Sequence, residues 1–500
     1  MKIALWLSAA LLCLSAARAL PAAAPAQPAA IDWREGDVDD AFAEARESNK
    51  PVLLYWGAKW CPPCNQMKQT IFKDPGFIAE TRNFIPVHLD GDDPGAQAWG
   101  DKFGIVGYPT VIILRPDRSE ITRLSGTSAA ASLAQVLALT AKRTASTEEL
   151  LQLASTPKQL SPDDWLVLAN FDWEDDPKHF ADPVKEASFL ATLAAAAPTP
   201  ALSRKFTLTG LAIGSNYGSV PLSPAQQRQL QAILLPILRN RAEATADRDM
   251  LSEAAAPMIL SLPTARQRQR LGAELVLALD QVAADTTLFP GDRLDTVNAD
   301  IILSKAAHAG KVTPAVLAKV RARVAVADRD ANTPGLRQAV IPDAGDFLDQ
   351  AGDYAGAQKL LEGALPTAIA PYYFMIDLAG LAEEHHDPQA AIDWARKAAD
   401  AAEGPATKVQ WEIMYSDFVL RLDARNKPEV EQSGEEVIQA FTQASAGYAG
   451  RTRKKLEAWH AKVEAWSKAN QGQRVLLHLN ASLSQACQKQ ATQACAIKFS

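Results

Sequence analysis

Two cysteines separated only by Pro62 and Pro63 constrain this chain more than any other feature. Cys61 and Cys64 follow a continuous apolar run, Pro51–Tyr55, which has the length and character of a strand buried on both faces. From Cys64 onward the apolar spacing indicates a helix, so the pair lies at a strand-to-helix junction. A thiolate at a helix N-terminus is stabilised by unpaired N–H groups and the helix dipole. This spacing predicts a redox-active pair, in which Cys61 attacks a disulfide and Cys64 resolves the mixed disulfide.

Other uses of such a pair fit the sequence less well. A c-type haem site requires histidine directly after the second cysteine, where this chain has Asn65. A zinc site needs two further ligands at workable spacing, and His88 stands alone. A purely structural disulfide remains open, although so tight a loop contributes little loop-closure stabilisation. We therefore expect no metal and no other cofactor.

The N-terminus has the pattern of a cleaved secretory signal. Lys2 precedes a short apolar run, Ile3–Ala17, and the sequence then reaches a small-x-small cleavage pattern that ends at Ala19. The run is too short to span a bilayer. We predict a signal peptide over 1–19 and an Ala/Pro-rich tether over 20–30. The mature protein is then expected in the periplasm or otherwise exported.

Charge and length exclude some classes of function. The formal net charge of −7 becomes −9 once Lys2 and Arg18 are removed, and an acidic chain without a basic stripe is a poor nucleic-acid binder. The basic cluster Arg451–Lys455 lies in a helical pattern and is interpreted as a solvated helix face. No later segment has the length and apolarity of a membrane span. A chain of 500 residues implies more than one domain.

The first region, 31–145, has the pattern of a small α/β sandwich. A helix is predicted over about 37–48, with Ala41, Phe42 and Ala45 on one face. After the cysteine-bearing helix, which is expected to end near Asp74-Pro75, further strands are predicted and a helix closes the region. The predicted segments are the strands Phe84–Leu89, Thr110–Leu114 and Glu120–Leu124 and the closing helix Ser128–Lys142.

The rest of the chain has the pattern of helices. Ser161-Pro162, Ser223-Pro224 and Thr313-Pro314 each place a capping side chain before a proline suited to a first helical turn. Long Ala/Leu-rich patterns follow each of them. We predict an all-helical domain over 146–335, with further helices after it.

Part of the helical region repeats. Gly352–Ala357 and His386–Ala391 lead into similar apolar patterns, and small residues recur 34 positions apart. This period resembles tetratricopeptide repeats, and we assign TPR-like repeats to 336–480. The resemblance implies a helical solenoid that docks proteins, whereas a generic helical array with a structural role remains the alternative. His385 and His386 fall in a turn between helices, where solvated polar residues are normal.

The N-terminal region resembles the thioredoxin superfamily. The resemblance depends on Trp60-Cys61-Pro62-Pro63-Cys64 after an apolar strand and on Gly107-Tyr108-Pro109-Thr110 before the next one, and it covers about a quarter of the chain. Within that family the local sequence around these motifs is most similar to that of exported thiol:disulfide interchange domains. The resemblance implies that Pro109 is a cis-proline facing the cysteine pair. Trp60, Tyr108 and Pro109 would then bind the substrate peptide, and Cys61 would be the nucleophile.

Two departures from the family pattern bear on the chemistry. The family usually has a buried aspartate six residues before the first cysteine, where this chain has Tyr55, a poor proton acceptor near neutral pH. Pro62 and Pro63 have no N–H, so they withhold two donors from the Cys61 thiolate. Less thiolate stabilisation makes a less oxidising pair, which favours reduction or isomerisation of disulfides over their formation.

A second cysteine pair lies in the C-terminal segment 481–500. Cys487 and Cys495 would be about 12 Å apart along one unbroken helix, whereas a disulfide needs Cα atoms within roughly 7 Å. We expect a turn between them and a structural disulfide. A sharper hypothesis is that this pair exchanges electrons with Cys61 and Cys64.

These features lead to two hypotheses of function. The first is an exported thiol:disulfide oxidoreductase that reduces or isomerises disulfides in protein substrates, while its helical region docks partners. Its expected partners are proteins with thiols or disulfides and a redox partner of unknown identity; nucleic acid and membrane-spanning segments are not expected. The alternative is a helical scaffold or chaperone-like binding protein whose thioredoxin-like domain has little turnover.

Overall fold

The computed structural model of the protein describes residues 30–35, 37–124, 130–142, 145–173, 179–216, 221–444 and 448–489. The predicted signal peptide, the tether up to residue 29 and Cys495 lie outside the described residues.

The first region is a five-stranded mixed sheet with helices on both sides. The strand order is β1-β3-β2-β4-β5; β3 is parallel to β1 and β2, while β4 is antiparallel to β2 and β5. The elements are β1 (Arg34–Glu35), α1 (Val38–Ser48), β2 (Val52–Gly57), α2 (Pro62–Gln69), α3 (Pro75–Thr81), β3 (Ile85–Asp90), α4 (Ala96–Phe103), β4 (Thr110–Leu114), β5 (Glu120–Leu124) and α5 (Ala130–Thr140).

The central strand β2 is buried along its whole length, as its apolar run predicts. Its side chains alternate between two apolar clusters, one on each face of the sheet; Leu53 and Tyr55 belong to one, Leu54 and Trp56 to the other. The predicted strands over 84–89, 110–114 and 120–124 are confirmed to within one residue at each end. The fold class is therefore an α/β sandwich in this part of the chain.

The segment after the cysteine pair differs from its prediction. The helix α2 ends at Gln69, and a short 3₁₀ turn at Ile71–Lys73 leads to a new helix at Pro75. Asp74 and Pro75 were expected to end a helix, but they begin one. The Asp74 carboxylate accepts a hydrogen bond from the backbone N–H of Phe77 at 2.8 Å, and proline suits the first helical position.

All regular structure described after α5 is helical, apart from one isolated bridge between Leu124 and Phe171. The helices are α6 (Thr147–Ala154), α7 (Pro162–Ala169), α8 (Pro183–Ala196), α9 (Pro200–Asn216), α10 (Pro224–Leu238), α11 (Arg241–Ala246), α12 (Arg248–Glu253), α13 (Ala255–Leu260), α14 (Ala265–Ala283), α15 (Pro290–Asp295), α16 (Val297–Ala307), α17 (Pro314–Asp330), α18 (Pro334–Gln350), α19 (Tyr354–Ala364), α20 (Pro371–Glu384), α21 (Pro388–Ala401), α22 (Pro405–Leu422), α23 (Lys427–Gln443), α24 (Gly450–Asn470) and α25 (Gln473–Lys489), with 3₁₀ turns at Pro157–Gln159 and Leu365–Thr367. The helical region predicted from the sequence is confirmed.

The predicted helix starts are correct in three places. Ser161, Ser223 and Thr313 are the N-cap residues of α7, α10 and α17, and each side chain accepts a hydrogen bond from a backbone N–H of the first turn. A proline follows each cap at the first helical position.

The repeat is visible as two helix pairs. Both α19 and α20 recur 34 residues later, as α21 and α22. The alanines at equivalent places, Ala357, Ala364, Ala391 and Ala398, are completely buried. Small side chains at these positions let neighbouring helices pack closely, as in tetratricopeptide repeats.

The helical region folds back onto the sheet region. Helix α18 packs against α2, the helix that carries the cysteine pair, and α24 packs against α4. The interpretation of Arg451–Lys455 as a solvated face is wrong for its first half. Thr452 is completely buried, Arg451 lies on aromatic rings, and Arg453 pairs with Asp101 across the interface.

Candidate redox site

Cys61 and Cys64 form a disulfide at the start of α2, with their Cα atoms 5.3 Å apart. Cys61 is the N-cap residue of that helix, and its Sγ accepts a hydrogen bond from the backbone N–H of Cys64 at 3.2 Å. Pro62 and Pro63 occupy the first two helical positions, where other residues would present N–H groups. The helix terminus therefore offers the Cys61 sulfur one backbone donor within this turn.

The loop before β4 lies against the pair. The Tyr108–Pro109 peptide bond is cis, as the family resemblance implies. The carbonyl oxygen of Tyr108 lies 3.5 Å from the Cys61 Sγ, and the Tyr108 ring lies 5.9 Å from the Trp60 ring. The structure thus brings Trp60 and the Tyr108–Pro109 loop together next to Cys61, with the Tyr108 carbonyl oxygen against its sulfur. Residue Val106, two positions earlier, is 40% exposed, so this edge of the loop reaches solvent.

Trp60 is covered by the helical region. Its indole N–H donates to the hydroxyl oxygen of Thr407 at 3.0 Å, and its ring is stacked on Tyr373 and meets Trp411 edge-on. Its backbone carbonyl accepts a hydrogen bond at 2.9 Å from Gln338, a fully buried side chain on α18. Residues from three distant helices therefore hold the position directly before Cys61.

Asp92, in the loop after β3, caps a helix of the other region. Its carboxylate accepts hydrogen bonds from the backbone N–H groups of Ala406 and Thr407, at 2.7 and 2.8 Å, and from the Thr407 hydroxyl at 2.6 Å. The helix α22 has glycine at its own N-cap position, Gly404, which provides no side-chain cap. Burial nevertheless raises the pKa of Asp92, although its hydrogen bonds oppose the shift.

A second helix is capped in the same way. The backbone N–H of Gly450, at the start of α24, donates to Asp101 at 2.8 Å, and that of Thr452 donates to Gln97 at 3.2 Å. The guanidinium of Arg453 pairs with the other Asp101 oxygen at 2.8 Å. Against the effect of burial, the Gly450 N–H and the Arg453 guanidinium together hold the pKa of the Asp101 carboxyl below its usual range.

These contacts leave the cysteine pair almost inaccessible. Cys61 is 2% exposed and Cys64 is completely buried, within one apolar cluster that includes Tyr372 and Trp411 of the helical region. The sequence motifs single out Trp60, Tyr108 and the cysteines, but no motif marks the residues that cover them. Gln338 and Thr407 carry no motif in the sequence, and the charges of Arg451–Lys455 favour a solvated helix face rather than a buried contact.

Tyr55 occupies the position where the family has an acid. It is 1% exposed and its ring is stacked on His88 at 5.1 Å. Its hydroxyl has no hydrogen-bond partner among the described residues. Burial, with a smaller contribution from Asp90, raises the pKa of Tyr55 further above its ordinary value. Tyr55 is therefore a packing residue that cannot accept a proton at neutral pH.

Other candidates from the sequence lie away from this site. Cys487 is buried near the end of α25, and the predicted bond to Cys495 stays a prediction. His385 lies in the turn directly after α20 and pairs with Asp349 at 2.6 Å, as expected for a polar turn. Across the described ranges no cluster of histidine, cysteine or acidic side chains is suited to hold a metal ion. No described helix is long and apolar enough to cross a membrane.

The sheet order, the cysteine pair at the start of α2 and the adjoining cis-proline together define a thioredoxin fold. Comparison with known proteins agrees. A family model described as a thioredoxin-like domain matches residues 38–141. Thioredoxin of Mycolicibacterium smegmatis is 30% identical over 101 residues, which are 20% of this chain and 87% of that protein. The chain belongs to the thioredoxin superfamily through its N-terminal region.

Two other comparisons concern the same region. Thiol:disulfide interchange protein DsbD 1 of Pseudomonas aeruginosa is 32% identical over 110 residues, and the match spans 21% of this chain but only 19% of that protein. A solved structure described as DsbH oxidoreductase has 18% identity and a TM-score of 0.23, covering 25% of this chain and 94% of that one. The helical region lies outside the matched family model.

Proposed function

We propose that the protein is an exported thiol:disulfide oxidoreductase that reduces or isomerises disulfides in protein substrates. The observation that carries this proposal is the Cys61–Cys64 disulfide at the N-terminus of α2, in contact with the Tyr108–Pro109 loop. The family's cysteine pair and cis-proline are both present. The sequence pattern of a signal peptide over 1–19 supports export to the periplasm.

The chemistry follows from the two cysteines. In the reduced protein the Cys61 thiolate attacks one sulfur of a substrate disulfide, which forms a mixed disulfide and releases a substrate thiolate. Cys64 then loses its proton and attacks the Cys61 sulfur, which releases the second substrate thiolate and forms the Cys61–Cys64 disulfide. Two electrons pass to the substrate, so a reduced dithiol partner must return the protein to its starting state. Trp60, Tyr108 and Pro109 would hold the substrate chain beside Cys61.

The helical region is proposed to dock partners. Its TPR-like helix pairs form an extended surface of the kind that binds proteins. A protein substrate cannot reach Cys61 while Tyr373 of α20 and Thr407 and Trp411 of α22 cover Trp60. Exchange therefore requires α20 and α22 to move away from Trp60. Cys487 and Cys495 are proposed to form a structural disulfide.

A second candidate function has one observation in its favour. The burial of the pair agrees with a helical scaffold or chaperone-like protein whose thioredoxin-like domain has little turnover.

Dithiothreitol-driven reduction of a disulfide discriminates the two functions, if wild type is compared with Cys61→Ser. Glutathione disulfide serves as a small substrate and insulin as a protein substrate. The oxidoreductase proposal expects Cys61→Ser to lose at least about 100-fold of the catalysed rate with glutathione disulfide, because the attacking thiolate is missing. Equal rates for the two proteins would remove the enzyme function and leave the scaffold.

A further inference from the structure

Arg451, in the first turn of α24, is placed unusually for an arginine. Its guanidinium carbon lies 5.5 Å from the Trp60 ring and 5.3 Å from the Tyr108 ring. Its Nε is buried and has no hydrogen-bond partner among the described residues. Its electrostatic neighbours there are Tyr108, Tyr373 and the cation Lys455, with no carboxylate among them. Arg453, two residues later, has the ordinary arrangement and pairs with Asp101 at 2.8 Å.

This position puts the Arg451 guanidinium on the rings of two residues that adjoin Cys61. Trp60 directly precedes Cys61, and the Tyr108 carbonyl oxygen lies 3.5 Å from its sulfur. Arg451 therefore contacts the chain neighbour of Cys61 and a residue that lies against its sulfur. Aromatic faces attract a cation but leave its net charge unchanged. In partly buried surroundings that charge is screened much less than it would be in water.

The Cys61 sulfur has few other sources of stabilisation. Pro62 and Pro63 provide no N–H, which leaves the Cys64 N–H at 3.2 Å. Lys59 is paired with Glu403, so its charge is largely neutralised.

The remaining groups around the site are neutral or acidic. Tyr372 and Tyr373 on α20 are neutral, because burial raises the pKa of each. Asp92 is engaged by α22, and Asp343 on α18 and Asp377 on α20 lie near Tyr373. Any negative charge on these three acids disfavours a thiolate at Cys61.

We propose that Arg451 is an electrostatic positioning residue by which the helical region stabilises the Cys61 thiolate of the reduced protein. This inference rests on the proposed function and adds a role for the helical region within it. The step concerned is the loss of the Cys61 proton to solvent, after which the thiolate attacks as above. Because the thiolate exists only in the reduced form, Arg451 also makes the disulfide easier to reduce.

The test measures how much of the Cys61 thiol is ionised at each pH. The full-length protein is first reduced chemically, and the ultraviolet absorbance of the thiolate is then titrated with Cys61→Ser as the blank, so no alkylating reagent has to reach the buried sulfur during the titration. Arg451→Gln and Arg451→Met remove the charge, and we expect each to lower the thiolate fraction at neutral pH about three- to tenfold. Arg451→Lys keeps a charge and should stay within about twofold of wild type.

Two comparisons separate a role for charge from a role in packing. Arg451→Lys loses the planar guanidinium on the rings just as the neutral variants do, so a purely structural role would move all three variants alike. Arg453→Gln changes another arginine of α24 and breaks its ion pair with Asp101 of α4. In this variant the Cys61 thiol should titrate as it does in wild type. An unchanged titration in a folded neutral variant would overturn the proposal. A wild-type midpoint at or above about 8.5, the ordinary value for a free cysteine, would also overturn it, even if neither neutral variant folds.

The experiments distinguish failure of this proposal from failure of the proposed function. Failure of the oxidoreductase proposal would appear as no exchange with glutathione disulfide, whatever the titration shows. Failure of the Arg451 proposal would appear as normal exchange with an unshifted titration.

Discussion

At the scale of single residues, the site differs from its family at two positions that the sequence already shows. Tyr55 replaces the expected acid, and the structure makes it part of the core, stacked on His88 with a hydroxyl that finds no partner among the described residues. Pro62 and Pro63 withhold N–H groups, and Cys61 keeps the single Cys64 donor within that helical turn. Proton transfer from Cys64 therefore does not pass through Tyr55.

Tyr55→Phe tests this conclusion. Removing a buried hydroxyl without a partner should leave the free energy of unfolding unchanged or raise it by up to about 1 kcal/mol, because an unsatisfied polar group is lost. The rate of exchange with glutathione disulfide should stay within about twofold of wild type, since no proton acceptor is removed. Chemical denaturation and the exchange assay measure the two effects.

Tyr415→Phe is the matched control for stability. Tyr415 is also completely buried, but its hydroxyl is bonded to Glu429 and Arg396. Removing this hydroxyl should lower the free energy of unfolding by about 1 to 3 kcal/mol, because Glu429 and Arg396 each lose a hydrogen bond. A tenfold slower exchange in Tyr55→Phe would show that the hydroxyl takes part in the reaction.

At the scale of elements, helix ends connect the two regions. Asp92 caps α22, while Asp101 and Gln97 cap α24, so the sheet region supplies what those helices lack at their own N-termini. Gly404 has a positive φ of 99°, and a side chain there would overlap the Asp92 carboxylate. These caps could not be predicted, because each joins residues more than 300 positions apart and neither partner carries a recognisable motif.

A small polar network also contacts α2, through Gln66 in the middle of that helix. Gln66 on α2 donates to Asp292 on α15 at 3.1 Å, and Asp292 accepts from Arg248 on α12 at 2.7 Å. Arg248 also lies 3.5 Å from Asp249. Burial, together with the neighbouring Asp292 and Asp247 and against the attraction of Arg248, raises the pKa of Asp249 to about 6.

The raised pKa of Asp249 predicts that the stability of the protein depends on pH. Between its unfolded pKa, near 4, and its folded pKa, near 6, the folded state binds a proton that the unfolded state has released. This contribution to stability is full below pH 4 and is lost as the pH rises through 6. From pH 4 to pH 7 the free energy of unfolding of wild type should therefore fall by about 1 to 2 kcal/mol relative to Asp249→Asn.

Denaturant unfolding of both proteins across this pH range measures the difference. Asp163→Asn, at an exposed carboxylate in the first turn of α7, controls for the loss of one negative charge. A difference between wild type and Asp249→Asn that stays constant with pH would contradict the assignment.

At the scale of the whole molecule, the sequence reveals the parts better than their arrangement. The strands are predictable because apolar runs of strand length must be buried. The positions at which helices begin are predictable because Ser-Pro and Thr-Pro suit the geometry of a first helical turn. The redox pair is recognisable from its spacing, and the helical repeat from its period of 34 residues. The packing of α18, α22 and α24 over the pair depends on contacts such as Trp60 with Thr407, which no local pattern reveals.

Under the proposed function, the helices that cover Trp60 would limit which disulfides reach Cys61. Reduction rates with insulin and with glutathione disulfide, compared in wild type and Asp92→Ala, test this most directly. Asp92→Ala frees the α22 N-terminus, whose Thr407 also holds Trp60. Asp387→Ala removes the cap of α21, which has no described contact with Asp92, and serves as the matched control.

We expect Asp92→Ala to raise the insulin rate at least about threefold, because loss of the cap favours separation of α22 from Trp60. Its rate with glutathione disulfide should rise by a smaller factor than the insulin rate, because a small disulfide needs a smaller opening to reach Cys61. Asp387→Ala should match wild type with both substrates. An insulin rate that Asp92→Ala leaves unchanged, in a protein that still exchanges with glutathione disulfide through Cys61, would contradict control of access by the helical region.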